Sequence, residues 1–109
     1  MEWITCIRTA IDYMEKHLED DISAQDVAEQ IYMSSFFFQK GFSVMTGYGL
    51  GEYIRNRRLY RAALDLQKTD EKIIDIALRY CYETPESFTK AFSRQNVYLP
   101  SPDKPRRLL

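Results

Sequence analysis

The sequence predicts an all-α fold, and three observations carry that prediction. Apolar residues recur at spacings of three and four along most of the chain, as in helices that bury one face. No proline occurs before position 85, because the four prolines stand at 85, 100, 102 and 105. Hydroxyl residues and a glycine stand where the helices would begin and end. A chain of 109 residues makes one domain or two very small ones.

The first helix is predicted over about 3–19. Its buried stripe would consist of apolar residues spaced by three and four, namely Ile4, Ile7, Ile11, Met14 and Leu18. A short second helix is predicted over 24–31, where Ser23 can cap the first turn and Asp26 can complete a capping box. A break at 32–33 follows.

The third helix is predicted over 35–44, with Ser34 as its N-cap and Gly47 as its C-cap. A long central helix, 49–68, comes next and would be roughly 27 Å long. Its apolar residues fall on one stripe, namely Leu50, Ile54, Leu59, Ala62, Ala63 and Leu66. Four arginines crowd its middle: Arg55, Arg57, Arg58 and Arg61.

The second half of the chain repeats the pattern of short and longer helices. Asp70 is expected to cap a helix over 71–80, and 81–83 would break it. Thr84 followed by Pro85 is a strong signal for the start of another helix, which would end near Gln95. After Pro100 at most one further turn of helix fits.

Charge and side-chain chemistry exclude several classes of protein. The segment 1–30 carries a net charge of −6 and the segment 31–109 a net charge of +5, so any basic surface must be local. Cys6 and Cys81 are far apart and indicate reduced thiols in a cytoplasmic protein. With His17 as the only histidine, no metal site or catalytic set is predicted. We therefore expect neither an enzyme nor a cofactor, and no membrane span, since no apolar run approaches the roughly 20 residues that a span requires.

Two segments of the chain resemble each other. Residues 26–28 (Asp-Val-Ala) match 75–77 (Asp-Ile-Ala), and 38–42 (Phe-Gln-Lys-Gly-Phe) match 88–92 (Phe-Thr-Lys-Ala-Phe). The matching residues are 49 positions apart before the hydroxyl cap of each unit and 50 positions apart after it. Each unit is a short helix, a tight turn and a second helix, which is the helix-turn-helix plan. Any helical domain produces such pairs, but polar residues on the outer side of each second helix favour contact with DNA.

Several local motifs appear in a fixed order along the chain. They are Asp26-Val27-Ala28-Glu29-Gln30, Met33-Ser34, Phe42 with Thr46-Gly47, Tyr53-Ile54, Arg58-Leu59 with Arg61-Ala62, Ile73 with Ile76-Ala77, Ser87-Phe88-Thr89-Lys90-Ala91-Phe92, and Pro100. In this order and spacing, over about residues 4–101, the chain resembles the DNA-binding domain of AraC/XylS-type transcription regulators. The resemblance implies two homeodomain-like helix-turn-helix subdomains, 1–48 and 69–109, joined by a linker helix, 49–68.

The resemblance also implies which residues meet DNA as the two second helices enter successive major grooves. Base contacts are implied for Phe36, Gln39 and Lys40 in the first unit and for Glu86, Ser87 and Lys90, beside Pro85, in the second. Contacts with the DNA backbone are expected from Ser35, Arg55, Arg57, Thr84, Thr89 and Arg94. Phe36 suits a thymine methyl, Gln39 an adenine, Lys40 a guanine or a phosphate, and Glu86 a cytosine.

The chain departs from the family pattern in both turns, where Tyr32 and Cys81 replace the usual glycine. A side chain in that backbone conformation costs roughly 1 kcal/mol or more, so we predict strained or slightly different turns rather than loss of the fold. Three aromatic residues in a row, 36–38, cannot all be buried. Phe38 matches the core position. Phe36 and Phe37 then pack on the first helix, or Phe36 contacts DNA.

Two functions are compatible with the sequence. The first is sequence-specific binding of double-stranded DNA by a bacterial transcription regulator, with RNA polymerase as a further partner. The second is a helical protein-interaction module with weak or no DNA binding, which the acidic first helix would suit. Some relatives carry an effector domain, so an effector-sensing domain beyond Leu109 is one expectation. The domain itself is expected to be monomeric.

Overall fold

The computed structural model describes residues 2–95, which form six α-helices and confirm the all-α prediction. The helices are α1 Trp3–Lys16, α2 Ala24–Glu29, α3 Ser35–Thr46, α4 Leu50–Lys68, α5 Ile73–Arg79 and α6 Pro85–Gln95. The chain divides into two compact units, the first ending at Arg55 and the second beginning at Asn56, both within α4. The division at 1–48, 49–68 and 69–109 stays a prediction. The expected turn of helix after Pro100 lies outside the described residues.

The buried stripe of α1 differs from the predicted one. Met14 and Leu18 are buried as predicted, but Ile7 and Ile11 are only half-buried. Cys6 and Ala10 are fully buried instead, and Ile4 is 61% exposed, so the prediction for it is wrong. Small side chains at two of the buried positions leave room for the rings of Phe38 and Phe42, which fill the core of the first unit. Packing volume, rather than hydrophobicity alone, therefore decides which side of α1 faces inward.

The ends of the first three helices differ from prediction by a few residues. α1 ends at Lys16, three residues early, which agrees with the acidic run that follows and opposes the helix dipole. The capping box of α2 is confirmed: the Asp26 amide donates to Ser23 Oγ at 3.1 Å, and the Ser23 amide to Asp26 Oδ2 at 2.8 Å. α3 extends to Thr46, and Gly47 caps it with φ of +79° as predicted.

The apolar stripe of α4 is confirmed at every predicted position. Leu50 and Ile54 are buried in the core of the first unit. The later members of the stripe, Leu59, Ala62, Ala63 and Leu66, are buried in the core of the second unit. One continuous helix of 19 residues thus supplies core residues to both units.

The start of α5 corrects another prediction. The helix begins at Ile73, with Lys72 in the N-cap position, so Asp70 is not its cap. The Thr69 hydroxyl accepts the Glu71 amide at 3.3 Å and replaces the expected carboxylate cap in this junction. By contrast, α6 begins at Pro85 as predicted.

Candidate nucleic-acid interface

The turns of the two helix-turn-helix units have the same backbone arrangement. In the first, the Met33 amide donates to the Ala28 carbonyl at 3.1 Å. In the second, the Tyr82 amide donates to the Ala77 carbonyl at 2.9 Å. The residue before each donor has a positive φ, +57° at Tyr32 and +72° at Cys81. The predicted strained turns are therefore confirmed, since both keep the left-handed conformation that glycine would favour.

Matching hydroxyl caps fix the first turn of each second helix. Ser34 Oγ accepts the Phe37 amide at 3.2 Å, and Thr84 Oγ1 accepts the Ser87 amide at 3.0 Å. A helix N-terminus carries unpaired amides and a partial positive charge, which attract an anion such as a DNA phosphate. The repeat seen in the sequence is thus a repeat of turn, cap and helix in the structure.

The outer side of α3 presents the three residues predicted to contact bases. Phe36, Gln39 and Lys40 are all exposed, with Phe36 77% exposed. Lys40 Nζ lies 5.9 Å from the centroid of the Phe36 ring. Gln39 Nε2 donates to Ser35 Oγ at 3.0 Å, which holds the amide against the first turn. This arrangement offers an apolar ring, an amide and a cation side by side.

Phe36 and Phe37 separate into two roles. The ring centroids of Phe37 and Trp3 lie 5.4 Å apart, so Phe37 packs on α1. Phe36 is instead directed outward beside Lys40. The expected packing on the first helix therefore holds for Phe37, and the DNA contact of Phe36 stays a prediction.

The outer side of α6 carries a different set of groups. Glu86, Ser87 and Lys90 are exposed, and Thr89 is half-buried. The Ser87 hydroxyl donates to the Thr84 carbonyl at 2.9 Å and accepts from Thr84 Oγ1 at 3.0 Å. The hydroxyl hydrogens of Thr84 and Ser87 are thus both used within the cap. In this arrangement the Ser87 oxygen can accept a hydrogen bond from a ligand but has no hydrogen left to donate.

The predicted phosphate-binding arginines occupy different environments. Arg55 and Arg94 are exposed, whereas Arg57 is half-buried. Arg57 Cζ lies 5.1 Å from the centroid of the Tyr60 ring, a distance that allows a cation–π interaction. Stacking of this kind restricts the orientation of the guanidinium, and the phosphate contact of Arg57 stays a prediction.

Two serines that the sequence interpretation missed lie beside the candidate base-contacting residues. Ser43 and Ser93 are exposed and occupy equivalent positions, 50 residues apart. Each stands seven residues after Phe36 or Glu86, which places it on the same stripe two helical turns further on. That spacing, combined with the repeat, is the signal that would have identified both serines.

A polar cluster joins α4 to α5 in the second unit. Arg79 donates to Asp65 Oδ2 at 3.0 Å and to Glu71, and the Tyr80 hydroxyl donates to Asp65 Oδ2 at 2.7 Å. The hydrogen bonds that Arg79 donates, to Glu71 first and then to Asp65, raise the pKa of Arg79. The hydrogen bond from Arg79 lowers the pKa of Glu71. The cluster fixes α5, and with it the turn that leads into α6.

Other kinds of site were sought over residues 2–95. This part of the chain has no group of three His, Cys, Asp or Glu side chains placed to hold a metal ion. None of its helices combines the length and apolar character that crossing a membrane requires.

Two units with the same turn, cap and exposed second helix define a helix-turn-helix DNA-binding domain. A helix-turn-helix domain family model matches residues 27–102. The regulatory protein SoxS of Salmonella typhimurium is 35% identical over 95 residues, covering 87% of this chain and 89% of SoxS. The chain belongs to the AraC-type helix-turn-helix family. The right origin-binding protein of Escherichia coli, a longer relative, is 36% identical over 101 residues, covering 93% of this chain and only 35% of that protein.

Solved structures of AraC-type domains share the fold. A transcriptional regulator from Chromobacterium violaceum superposes with a TM-score of 0.82 at 24% identity, covering 89% of this chain and 87% of that one. The DNA-binding domain of the global transcriptional factor AdpA, solved in complex with a target DNA, has a TM-score of 0.75 at 22% identity. The superposition covers 82% of this chain and 80% of that one.

Proposed function

We propose that the chain binds double-stranded DNA sequence-specifically as the DNA-recognition part of a bacterial transcription regulator, with α3 and α6 in two successive major grooves. The observation that carries the proposal is the repeated turn and cap, which present Lys40 and Lys90 at equivalent exposed positions. A major groove about 12 Å wide admits an α-helix. α4 has 19 residues and is about 28 Å long. This length suits a duplex whose successive major grooves face the protein every 34–36 Å or so.

In this proposal the two second helices read bases and the surrounding residues hold the DNA backbone. The base contacts are Phe36, Gln39 and Lys40 from α3 and Glu86, Ser87 and Lys90 from α6. The backbone contacts are Ser35, Arg55, Arg57, Thr84, Thr89 and Arg94. The exposed Gln39 amide and the Lys40–Phe36 pair support base reading by α3, since amide, cation and apolar ring each match one kind of base edge.

The test is a selection of binding sites from random duplex DNA, followed by variants. Gln39→Ala and Lys40→Ala should each alter the preference between bases at a single base pair of the site by about 1–3 kcal/mol. Arg55→Ala is the matched control, because a contact with phosphate alone weakens all duplexes equally and lowers the salt slope by about one. If both α3 variants select the same site as the parent chain, the assignment of base contacts is wrong.

We propose the remaining partners on family grounds. The regulator would act on RNA polymerase from the cytoplasm, and an effector-sensing domain would accompany this domain in the natural protein. The domain would bind DNA as a monomer, since it already holds two recognition units. These proposals are supported by the chain's membership of a family of transcription regulators.

The alternative function is a helical protein-interaction module with weak or no DNA binding. The net charge of −6 over residues 1–30 favours it, since this part of the chain repels a polyanion. Titration of the labelled chain with a random duplex at low salt separates the two functions. Binding that weakens steeply with salt supports the DNA-binding domain, and no binding supports the alternative.

A further inference from the structure

An apolar groove runs along the first unit between α1 and α3. Two adjacent hollows of about 290 Å³ each share Met45 as a common wall. Their lining is mainly apolar and includes Trp3, Ile4, Ile11, Phe37 and Val44. Val44 is 80% exposed, Ile4 61% and Phe37 56%. Such side chains gain stabilisation when a partner buries them, and a contiguous patch of this kind marks an interaction surface.

The second unit shows that the fold does not require these apolar residues. Positions 50 residues further on correspond in α6, so Ser87 is the equivalent of Phe37 and Arg94 the equivalent of Val44. The same turn, cap and core exist there with a hydroxyl and a cation in place of the two apolar side chains. The apolar surface of the first unit is therefore an addition to the fold, and it needs a reason outside folding.

Most of the groove lies away from the surface that would meet DNA bases. Phe37 and Val44 lie roughly 100–160° around α3 from Gln39 and Ser43, at about 100° per residue. A helix that enters a major groove through Gln39 leaves Phe37 and Val44 uncovered. Lys40 lies on the shared edge, because it lines the groove and is also a proposed base contact, so the groove is tested on the chain without DNA.

Charge identifies the kind of partner. The charged residues that line the two hollows are Arg8 and Lys40, both cations and both exposed. Within residues 2–95 neither makes an ion pair. The rest of the segment 1–30 is acidic, with Glu2 before α1 and with Asp12 and Glu15 after Arg8, so an acidic partner must place its carboxylates beside Arg8 itself.

We propose that this groove binds an amphipathic helix of a partner protein, one that carries two large apolar side chains and acidic residues beside them. The hollows lie along α1 from Trp3 to Ile11, which is about 12 Å of helix. Two apolar residues one to two turns apart on the partner helix fit that distance. The carboxylates of the partner pair with Arg8 and Lys40 at the rim.

The chain carries its own reporter for this binding. Trp3 is its single tryptophan and lines the groove, so its emission responds to an occupant. The probes are three synthetic helical peptides: one with two leucines and flanking glutamates, one with lysines in place of the glutamates, and one with serines in place of the leucines. We expect the glutamate peptide to bind at least tenfold more tightly than the other two.

Two variants, measured by anisotropy of labelled peptides, test the assignment of residues. Phe37→Ser combined with Val44→Ser removes two apolar side chains of the groove without adding charge, and it should weaken the glutamate peptide at least tenfold. Arg8→Glu should weaken the glutamate peptide and strengthen the lysine peptide. Circular dichroism checks that both variants stay helical, and Arg8→Glu alone decides the matter if the double variant unfolds.

Three results would overturn the proposal. They are binding of the lysine and glutamate peptides with equal affinity, unchanged preference in Arg8→Glu, and no change of Trp3 emission with any peptide up to about 1 mM. All measurements are made without DNA. A failure here therefore leaves the proposed DNA binding untouched, and a failure of DNA binding leaves this groove untouched.

Discussion

Tyr32 and Cys81 each occupy a backbone position that disfavours any side chain. Their φ values of +57° and +72° place the Cβ atom close to backbone oxygen, at a cost of about 1–2 kcal/mol each. Tyr32 is also 91% exposed, so its ring recovers little of that cost by packing. The strain persists because the carbonyls of Ala28 and Ala77 bind the amides that follow.

Replacing either residue with glycine should stabilise the chain. For Cys81→Gly and for Tyr32→Gly we expect a gain of roughly 0.5–1 kcal/mol, since relief of the strain exceeds the added entropy of the unfolded chain. The measurement is unfolding by urea. Cys81→Ala is the control, because it keeps the Cβ atom and should bring no gain. A loss of stability in both glycine variants would show that the turns are not strained.

Gly41 has a role that depends on contact rather than on backbone freedom. A Cβ atom placed on it would lie 2.2 Å from the Trp3 ring, so the ring sits on the bare backbone of α3. Gly41→Ala should displace the indole and shift its emission to longer wavelength. Gly51→Ala in α4 is the matched control, because nothing lies within 4 Å of that position. The control should gain up to about 1 kcal/mol of helix stability with the emission unchanged.

At the scale of helices, the buried side was predicted correctly for α4, which has one apolar stripe. It was predicted wrongly in part for α1, where two sets of apolar side chains could face the core. Every residue of the predicted α4 stripe is buried, whereas Tyr60 outside the stripe is 39% exposed. On α1, the isoleucines competed with Cys6 and Ala10. Hydrophobicity favours Ile4, but the space beside Phe38 and Phe42 admits only small side chains, and a single sequence does not reveal that space.

Helix ends also fall into those that the sequence predicts correctly and those that it does not. The caps at Ser23, Ser34 and Thr84 were predictable because a hydroxyl three residues before its amide is a local signal. The start of α5 was wrongly predicted, since Asp70 offers the same local signal although the helix begins at Ile73 with Lys72 in the N-cap position. Which residues of the two second helices touch DNA also stays a prediction, although the structure describes where each of them lies.

The link between α4 and α5 should be sensitive to acid. Arg79 lowers the pKa of Glu71 in the folded chain, so the carboxylate stabilises the fold above its ordinary pKa of about 4.3. That contribution is lost as the pH falls below this value and through the lowered pKa. Urea unfolding at pH 7 and pH 3 should show the parent chain losing more stability than Glu71→Gln. Equal losses would show that the ion pair contributes nothing.

At the scale of the whole molecule, one helix supplies core residues to two units that each carry a capped second helix. The first unit differs from the second by its acidic segment, 1–30, and by its apolar groove. The repeat thus separates what the fold needs from what a partner would need. Features present in both units, such as the turn, the cap and the exposed lysine, are those expected to serve DNA binding.

The central claim is that α3 and α6 read two successive major grooves of one duplex. It is tested most directly by the affinity of the chain for its selected site and for the same site with five base pairs inserted between the two contacted segments. Half a turn of DNA, about five base pairs, moves one segment to the opposite face of the duplex. We predict that the insertion lowers the affinity to that of a duplex with one segment scrambled. Unchanged affinity after the insertion would contradict the claim.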